Sequence, residues 1–281
     1  MTTIDFSENL ARDLERIKKA HLIRVNLYGD IPFKRKHLLS VGSDGKTPKG
    51  EKRGYLTGIL YMAPAESAEV GNLCPFASLG CKSGCLDTAG RGAGDNVVAN
   101  GIHEARKRKA RFFMQEREAF FWNLVKDIEA LIRAAIRRDL IPAVRLNGTT
   151  DVKWESQRFG PERQSIMERF PDVQFYDYTK WPASKRSEIP ANFHLTHSRA
   201  EDNEAMVLDA LKFGRSVAVV FSTPAKRGKR PGGKLPEWWN GYRVIDGDES
   251  DLRFLDDAQV VVGLRAKGDA KHDDSGFVVQ V

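Results

Sequence analysis

The sequence predicts an α/β protein with a parallel sheet and alternating helices, in the form of a partial or irregular β/α barrel. Short β-prone runs alternate with helical patterns from residue 141 onward. Polar side chains follow nearly every run, as they do where sites form at the carboxyl ends of parallel strands. The length of 281 residues suits one large domain, which we take to span residues 1–281. An open doubly wound sheet fits the same pattern, because hydrophobic periodicity does not distinguish a closed sheet from an open one.

The N-terminal part of the chain predicts one helix, two strands and a loop. Ser7 precedes apolar residues at helical spacing, so we expect it to cap a helix over residues 8–20. The run IRVNLY at residues 23–28 predicts a strand. Residues 41–54 are rich in glycine and lysine and predict a loop, after which residues 56–65 return to a strand-like composition.

The middle and C-terminal parts predict a long helical segment and then the strands of the sheet. Residues 97–140 form a long basic helical segment, which can be two helices joined by a bend. Helical patterns also lie at residues 162–170 and 201–213. The predicted strands occupy residues 143–147, 173–178, 192–197, 216–222, 242–246 and 260–264.

Polar residues at the ends of these runs are candidates for a ligand site. In a parallel sheet the carboxyl ends of the strands meet at one edge, so residues far apart in the sequence come together there. We expect three of them to act on a ligand: Asp151, Lys180 and His197. We expect three more to bind it: Asn147, Tyr178 and Ser222. The alternative for each residue is that it only finishes a strand, since loops are polar in most proteins.

The three cysteines of the chain all lie in one loop, over residues 72–96. Cys74, Cys81 and Cys85 have the spacing C-x6-C-x3-C, and the glycines and the proline between them let three sulfur atoms converge. Thiolates are soft ligands suited to iron–sulfur clusters and to zinc. An odd number of cysteines cannot all pair as disulfides within the chain, as expected for a protein of a reducing compartment.

Three interpretations of the cysteine loop remain open. A 4Fe–4S cluster uses three thiolates as they stand and leaves one iron for a small molecule, for which S-adenosylmethionine is the candidate. The spacing nevertheless differs from the C-x3-C-x2-C of radical S-adenosylmethionine enzymes. A structural zinc ion needs four ligands and would have to recruit His103 or another distant group. In the third interpretation the cysteines are reduced and bind no metal.

Two basic segments predict nucleic acid as an alternative partner. Residues 104–111 place five lysines and arginines within two helical turns. Residues 226–234 contain five more and precede the aromatic pair Trp238 and Trp239. Cations that neutralise phosphates beside rings that stack on bases suit single-stranded nucleic acid. This makes a nucleic-acid-binding protein with a structural zinc ion the alternative function, while a solvated helix face and a surface loop explain the same charges at a net charge of only +7.

The sequence predicts no contact with membranes. No apolar core follows the basic residues near the amino terminus, as a secretory signal would require. No run of about 18 apolar residues is present to span a bilayer. We therefore expect a cytoplasmic protein.

The cysteine loop and its surroundings resemble a known family. The stretch GILYMAPAESAEVGNLCPFASLGCKSGCLDTAGRG at residues 58–92 is followed by a basic helix, by RLNGTTDV at residues 145–152 and by VVGLRAKGDA at residues 261–270. Together they resemble the phage gene-product-88-like domain family from about Tyr55 to Val281. The resemblance implies a viral or prophage origin, hence the host cytoplasm, and matches the three cysteines. It carries over no catalytic residues.

Overall fold

The computed structural model describes residues 10–20, 37–42, 47–186, 188–223 and 233–281. Within them, ten strands form one mostly parallel sheet, accompanied by seven α-helices. The prediction of an α/β protein with a parallel sheet is therefore confirmed. The predicted strand at residues 23–28 and most of the basic segment at 226–234 lie outside the described residues.

The strands include all six that were predicted from residue 143 onward. They are β1 (Leu39–Val41), β2 (Tyr55–Leu60), β3 (Ile141–Arg145), β4 (Gln174–Thr179), β5 (Phe193–Ser198), β6 (Val217–Ser222), β7 (Trp238–Trp239), β8 (Tyr242–Asp246), β9 (Val261–Arg265) and β10 (Val279–Gln280).

Helices lie where residues 8–20, 97–140, 162–170 and 201–213 predicted them, but two more were not predicted, and one of these lies within residues 41–54, which were wrongly predicted to be a loop. They are α1 (residues 10–20), α2 (Thr47–Glu51), α3 (Leu79–Ser83), α4 (Val97–Gln115), α5 (Arg117–Ile136), α6 (Ile166–Arg169) and α7 (Glu204–Lys212). The long segment bends at Glu116, whose φ of −123° and ψ of 55° interrupt the helix between α4 and α5. The helix predicted at 162–170 is reduced to α6, because Arg163 has a φ of 52° and Ser165 starts the helix with a capping box.

Neighbouring strands follow one another in chain order over most of the sheet. β2, β3, β4, β5 and β6 lie side by side and parallel, and β9 and then β8 continue the parallel sheet beyond β6. Antiparallel strands stand at the two edges, β1 beside β2 and β7 beside β8. Among the described strands no pairing joins these edges, so the sheet is open and a barrel is not confirmed.

The main core lies between α5 and the first strands of the sheet. The apolar face of α5 is fully buried at Phe121, Leu124, Ile128 and Ile132. Gly58 of β2 lets this helix approach, because a Cβ atom there would lie 3.0 Å from Cδ2 of Leu131 and 3.1 Å from Cδ1 of Leu39. Burial of four large apolar side chains contributes roughly 1.5–3 kcal/mol for each of them.

The connection from β2 to β3 places the cysteine loop. Parallel strands that are neighbours need a crossover connection, and this one contains residues 72–96 followed by α4 and α5. The connection leaves β2 at Leu60, at the edge of the sheet where the other parallel strands also end, and reaches the cysteine loop at residue 72.

Candidate functional site

A cavity of about 910 Å³ lies at the carboxyl ends of the parallel strands, between them and the cysteine loop. Residues at or just beyond the ends of six strands line it: Tyr61, Asn147, Tyr178, Ser198, Val220 and Leu264. Cys74, Cys81 and Cys85 line the same cavity. The structure therefore brings the cysteine loop and the strand ends together, as parallel α/β sheets do at ligand sites.

Backbone N–H groups point at two of the three sulfur atoms. The N–H of Ala65 lies 3.3 Å from Sγ of Cys74, which is also 3.8 Å from the carbonyl oxygen of Thr149. Cys85 precedes a 3₁₀ turn at Leu86–Thr88, and its Sγ accepts from the N–H of Asp87 at 3.5 Å. Such N–H donors stabilise thiolates and the sulfur ligands of clusters.

Burial raises the pKa of all three thiols. The pKa of Cys74 rises to about 12 and that of Cys85 to about 11, and the pKa of Cys81 is also raised. Cys81 and Cys85 lie near enough to Cys74 for their charges to raise its pKa further. The thiols are therefore protonated at neutral pH unless a cation replaces the protons, and a metal centre supplies such a cation.

No three His, Cys, Asp or Glu side chains of the described residues converge as ligands of a single metal ion. A zinc ion gathers its ligands at one point, with thiolates at roughly 2.3 Å from the metal. In a 4Fe–4S cluster each cysteine binds a different iron. All three thiols line the wall of one cavity, and a cluster held by them stays a prediction.

Glu201 fastens the first half of the cysteine loop to the loop that follows β5. Its carboxylate accepts from the hydroxyl of Ser78 at 2.7 Å and from the N–H of Gly80 at 2.8 Å. Ser78 is the N-cap of α3 and in turn accepts from the N–H of Cys81 at 3.1 Å. The position of Cys81 therefore depends on a carboxylate from another crossover.

Asp87 fastens the second half of the loop to α4. Its carboxylate accepts from Nη1 of Arg106 at 2.5 Å and lies 2.9 Å from Nδ1 of His103. Nε2 of His103 lies 3.1 Å from the carbonyl oxygen of Gly92. Both ring nitrogens of His103 thus have partners, which leaves neither nitrogen directed at the cysteines as a fourth zinc ligand.

Four of the six predicted ligand-site residues line the cavity: Asn147, Asp151, Tyr178 and Lys180. A carboxylate oxygen of Asp151 accepts from the backbone N–H of Lys180 at 2.8 Å, and burial raises the pKa of Asp151. The ammonium group of Lys180 donates to Oγ of Ser198 at 2.7 Å. The guanidinium of Arg145 stacks 4.7 Å above the ring of Tyr178, whose pKa is raised by burial.

Asn147 shapes the turn after β3. Its side-chain oxygen accepts from the N–H of Val152 and from Nε1 of Trp154 at 2.9 and 3.0 Å. Its own backbone N–H donates to Asp177 at 2.8 Å. The side-chain amide also donates to the carbonyl oxygen of Val152 at 3.0 Å, so its hydrogen bonds hold the turn and leave little for a ligand.

His197 and Ser222 are not among the residues that line the cavity. His197, near the end of β5, pairs with Val217 at the start of β6, and its Nε2 lies 3.2 Å from Nη1 of Arg215. Ser222 pairs with Gln280 of β10 at the end of β6. The stagger between β5 and β6 buries His197 in the sheet, and β10 adds a strand beside Ser222.

One face of α4 lines the cavity and was not predicted to do so. Ile102, Ala105, Arg106 and Lys109 share this face at spacings of three and four residues. The sequence contains this spacing of three and four residues. It was not interpreted as one helix face, because it overlaps the basic run at residues 104–111. Glu201 was missed as well, and no local pattern distinguishes it from other loop carboxylates.

The predicted nucleic-acid segment does not form one uniform basic surface. Lys107 forms an ion pair with Glu104 at 3.0 Å, and Arg111 donates to the carbonyl oxygen of Ala68 at 3.2 Å. Arg106 and Lys109 face the cavity, and Arg108 is exposed. Nucleic-acid binding by residues 104–111 stays a prediction.

Three further observations bear on the class of protein. No helix in the described ranges is long and apolar enough to cross a membrane. The family model of gene product 88 matches residues 37–281. No curated protein and no solved structure matches the chain.

We predict that Gly80→Ala destabilises the protein by about 1–3 kcal/mol through overpacking. A Cβ atom at Gly80 would lie 2.1 Å from Oγ of Ser275 and 2.7 Å from Cβ of Phe277. The control is Gly101→Ala in α4, where no atom lies within 4 Å of the added Cβ and helix propensity predicts a gain of up to about 1 kcal/mol. Urea denaturation of both variants measures these changes, and equal stability of the two variants would contradict the packing around Gly80.

We predict that His197 makes stability fall as the pH falls. Burial lowers the pKa of His197 to about 4 from an ordinary 6.5, so between these values the unfolded chain binds the proton that the folded chain excludes. Between pH 7.5 and pH 5 this single group costs about 2 kcal/mol of stability.

Urea denaturation of His197→Gln at both pH values checks this dependence. We expect the difference between the two pH values to shrink in His197→Gln, because glutamine does not titrate. The exposed His272 provides the control, and His272→Gln should keep the wild-type dependence. Parallel pH curves for the wild type and His197→Gln would show that the group does not titrate as its burial requires.

Proposed function

The chain belongs to the gene product 88 family, and we propose that it is an iron–sulfur protein whose Cys74, Cys81 and Cys85 hold one 4Fe–4S cluster. The observation that carries this proposal is the position of all three thiols on the wall of one cavity at the strand ends. The sequence contains no fourth cysteine, so one iron is left for a ligand other than cysteine. We propose S-adenosylmethionine as this ligand, which makes the protein an enzyme similar to the radical S-adenosylmethionine enzymes.

The order of the strands supports this proposal. β2, β3, β4, β5, β6 and β9 are parallel neighbours in chain order, as in a β/α barrel, and the cysteine loop follows the first of them. We infer that these six strands act as a partial barrel, with the cavity at its carboxyl end. A partial barrel leaves the side of the cavity open for a substrate to enter.

The residues around the cavity have separate roles in this proposal. The chemistry that the cluster supplies, when bound, is one electron for the ligand at its free iron. Lys180, held by Ser198, supplies an ammonium group that binds the carboxylate of S-adenosylmethionine, and its charge lowers the pKa of Cys81 against the effect of burial. The carboxylate of Asp151 accepts from the backbone N–H of Lys180 and so positions that residue, and Tyr178 forms part of the cavity wall. His197 lies outside the cavity and takes no part.

The alternative, a nucleic-acid-binding protein with a structural zinc ion, receives less support. Its zinc would need a fourth ligand, and both nitrogens of His103 already contact Asp87 and Gly92. We also infer that the protein works in the cytoplasm of a host cell, as the resemblance to phage proteins implies. Three thiols without disulfide partners are typical of such a reducing compartment.

We predict that the protein purified without oxygen is brown and contains iron and sulfide. Cys74→Ala, Cys81→Ala and Cys85→Ala should each lower both contents, because each removes the only thiolate available to one iron. Ser83→Ala, an exposed change in the same loop, should leave them unchanged. Colourless protein with one zinc ion for each chain would refute the cluster and favour the zinc alternative.

We predict that S-adenosylmethionine changes the electron paramagnetic resonance spectrum of the reduced protein, because it binds an iron that has no cysteine. Lys180→Gln should weaken this response, since the carboxylate loses its charged partner at the cavity wall. His197→Gln should respond as the wild type does. An iron-loaded protein whose spectrum S-adenosylmethionine leaves unchanged would rule out this ligand while leaving the cluster in place.

A further inference from the structure

The wall of the cavity carries a marked excess of positive charge. Among the described residues that line it, nine are lysine or arginine and four are aspartate or glutamate. This excess of five compares with a formal net charge of +7 for the whole chain. Concave surfaces lined by one sign of charge attract ligands of the opposite sign.

Several of these cations are neutralised by acidic side chains. Arg145 binds the carboxylate of Asp251 at 2.9 Å, and Arg265 lies 3.1 Å from Asp248. Arg106, on the α4 wall, binds Asp87. These ion pairs hold neighbouring elements together, so they do not by themselves call for an anion in the cavity.

Lys109 differs from these cations. Its ammonium group donates to the carbonyl oxygen of Leu38 at 2.6 Å. The carboxylate of Asp127 accepts from the backbone N–H of Leu38 at 2.6 Å, and its charge raises the pKa of Lys109. Burial lowers the pKa of Lys109 to about 8 and the charge of Arg106 lowers it further, so the carboxylate of Asp127 compensates the ammonium charge only in part. Lys180 donates to Oγ of Ser198 at 2.7 Å, and the proposed function already uses it to bind the ligand at the iron.

We propose that the cavity binds a phosphorylated small molecule whose phosphate group lies against Lys109. A phosphate monoester carries about −1.5 to −2 charges at pH 7 and three acceptor oxygens, which suits an ammonium group whose charge is only partly compensated in a cationic cavity. The inference deepens the proposed function by naming the class of its substrate, and it rests on the same cavity. Binding of the phosphate needs no metal, so it can be tested separately.

The size and the walls of the cavity suit a small molecule. Its volume of about 910 Å³ lies near the upper end of the range of small-molecule sites, roughly 300–1,000 Å³. Apolar side chains such as Ile102 and Leu264 cover part of the wall and would contact the rest of the molecule. A polynucleotide would instead need charges on the outer surface, where Lys107 is already paired with Glu104.

Calorimetric titration of the full chain with adenosine monophosphate, adenosine and inorganic pyrophosphate tests this inference. We expect adenosine monophosphate and pyrophosphate to bind and adenosine to bind at least about tenfold more weakly, because it lacks the phosphate. Lys109→Gln should weaken phosphate binding about tenfold or more while keeping a donor for the carbonyl oxygen of Leu38. Lys109→Arg should retain binding, because it keeps the charge.

The matched control is Arg108→Gln, which removes an exposed positive charge from the neighbouring position of α4. It should change the affinity by less than about twofold. Thermal denaturation without ligand checks that each variant is folded. Equal weakening by Arg108→Gln and Lys109→Gln would overturn the inference, and so would equal affinities for adenosine and adenosine monophosphate.

The same titrations separate this inference from the proposed function. If pyrophosphate binds a protein that never holds iron, the inference stands and the cluster fails. If iron is bound and neither phosphate compound binds, the cluster stands and the inference fails. Binding of a single-stranded oligonucleotide without binding of adenosine monophosphate or pyrophosphate would overturn the inference and favour a nucleic-acid surface.

Discussion

The carboxylate of Glu201 accepts from Ser78 and Gly80 at the start of α3, and this contact joins the crossover after β5 to the one after β2. The cavity depends on this contact, because the cysteine loop forms one wall of the cavity and the strand ends form the opposite wall. Asp87 makes the corresponding contact to α4 at the other end of the loop. Two carboxylates therefore set where Cys81 and Cys85 lie relative to the sheet. Charge-assisted hydrogen bonds of this kind are stronger than neutral ones and hold an irregular segment in one conformation.

The position of the cysteine loop also affects the chemistry of the thiols. Cys74 is buried and Cys81 and Cys85 are partly buried, and this burial raises the pKa of each cysteine. A buried thiolate needs a positive partner, which a metal centre supplies directly and Lys180 supplies only in part. The same burial would strengthen every electrostatic contact that a ligand makes inside the cavity, since the local dielectric constant is lower than in water.

The basic helix α4 shows how one charged run serves several purposes. Because an α-helix turns about 100° for each residue, successive side chains of residues 104–111 point in different directions. Arg106 and Lys109, almost one turn apart, both face the cavity, and Arg106 also binds Asp87 and stabilises the loop. Arg108, between them, is exposed. A count of basic residues therefore overstates the surface that is open to nucleic acid, and the direction of each side chain decides its role.

The sequence by itself determined the parallel sheet, the bend in the long helical segment and the clustering of the three cysteines in one loop. These properties depend on periodicity and spacing within short stretches of sequence, so they can be predicted without the tertiary structure. The alternation of strands and helices also predicted that Asn147, Asp151, Tyr178 and Lys180 would share one edge, as they do. Only the tertiary structure decided that His197 and Ser222 lie elsewhere, because the stagger of β5 against β6 and the pairing of β10 are set by distant packing. It also brought Glu201 and Lys109 to the cavity, since a carboxylate or an ammonium group acquires its role from the residues that the fold places around it.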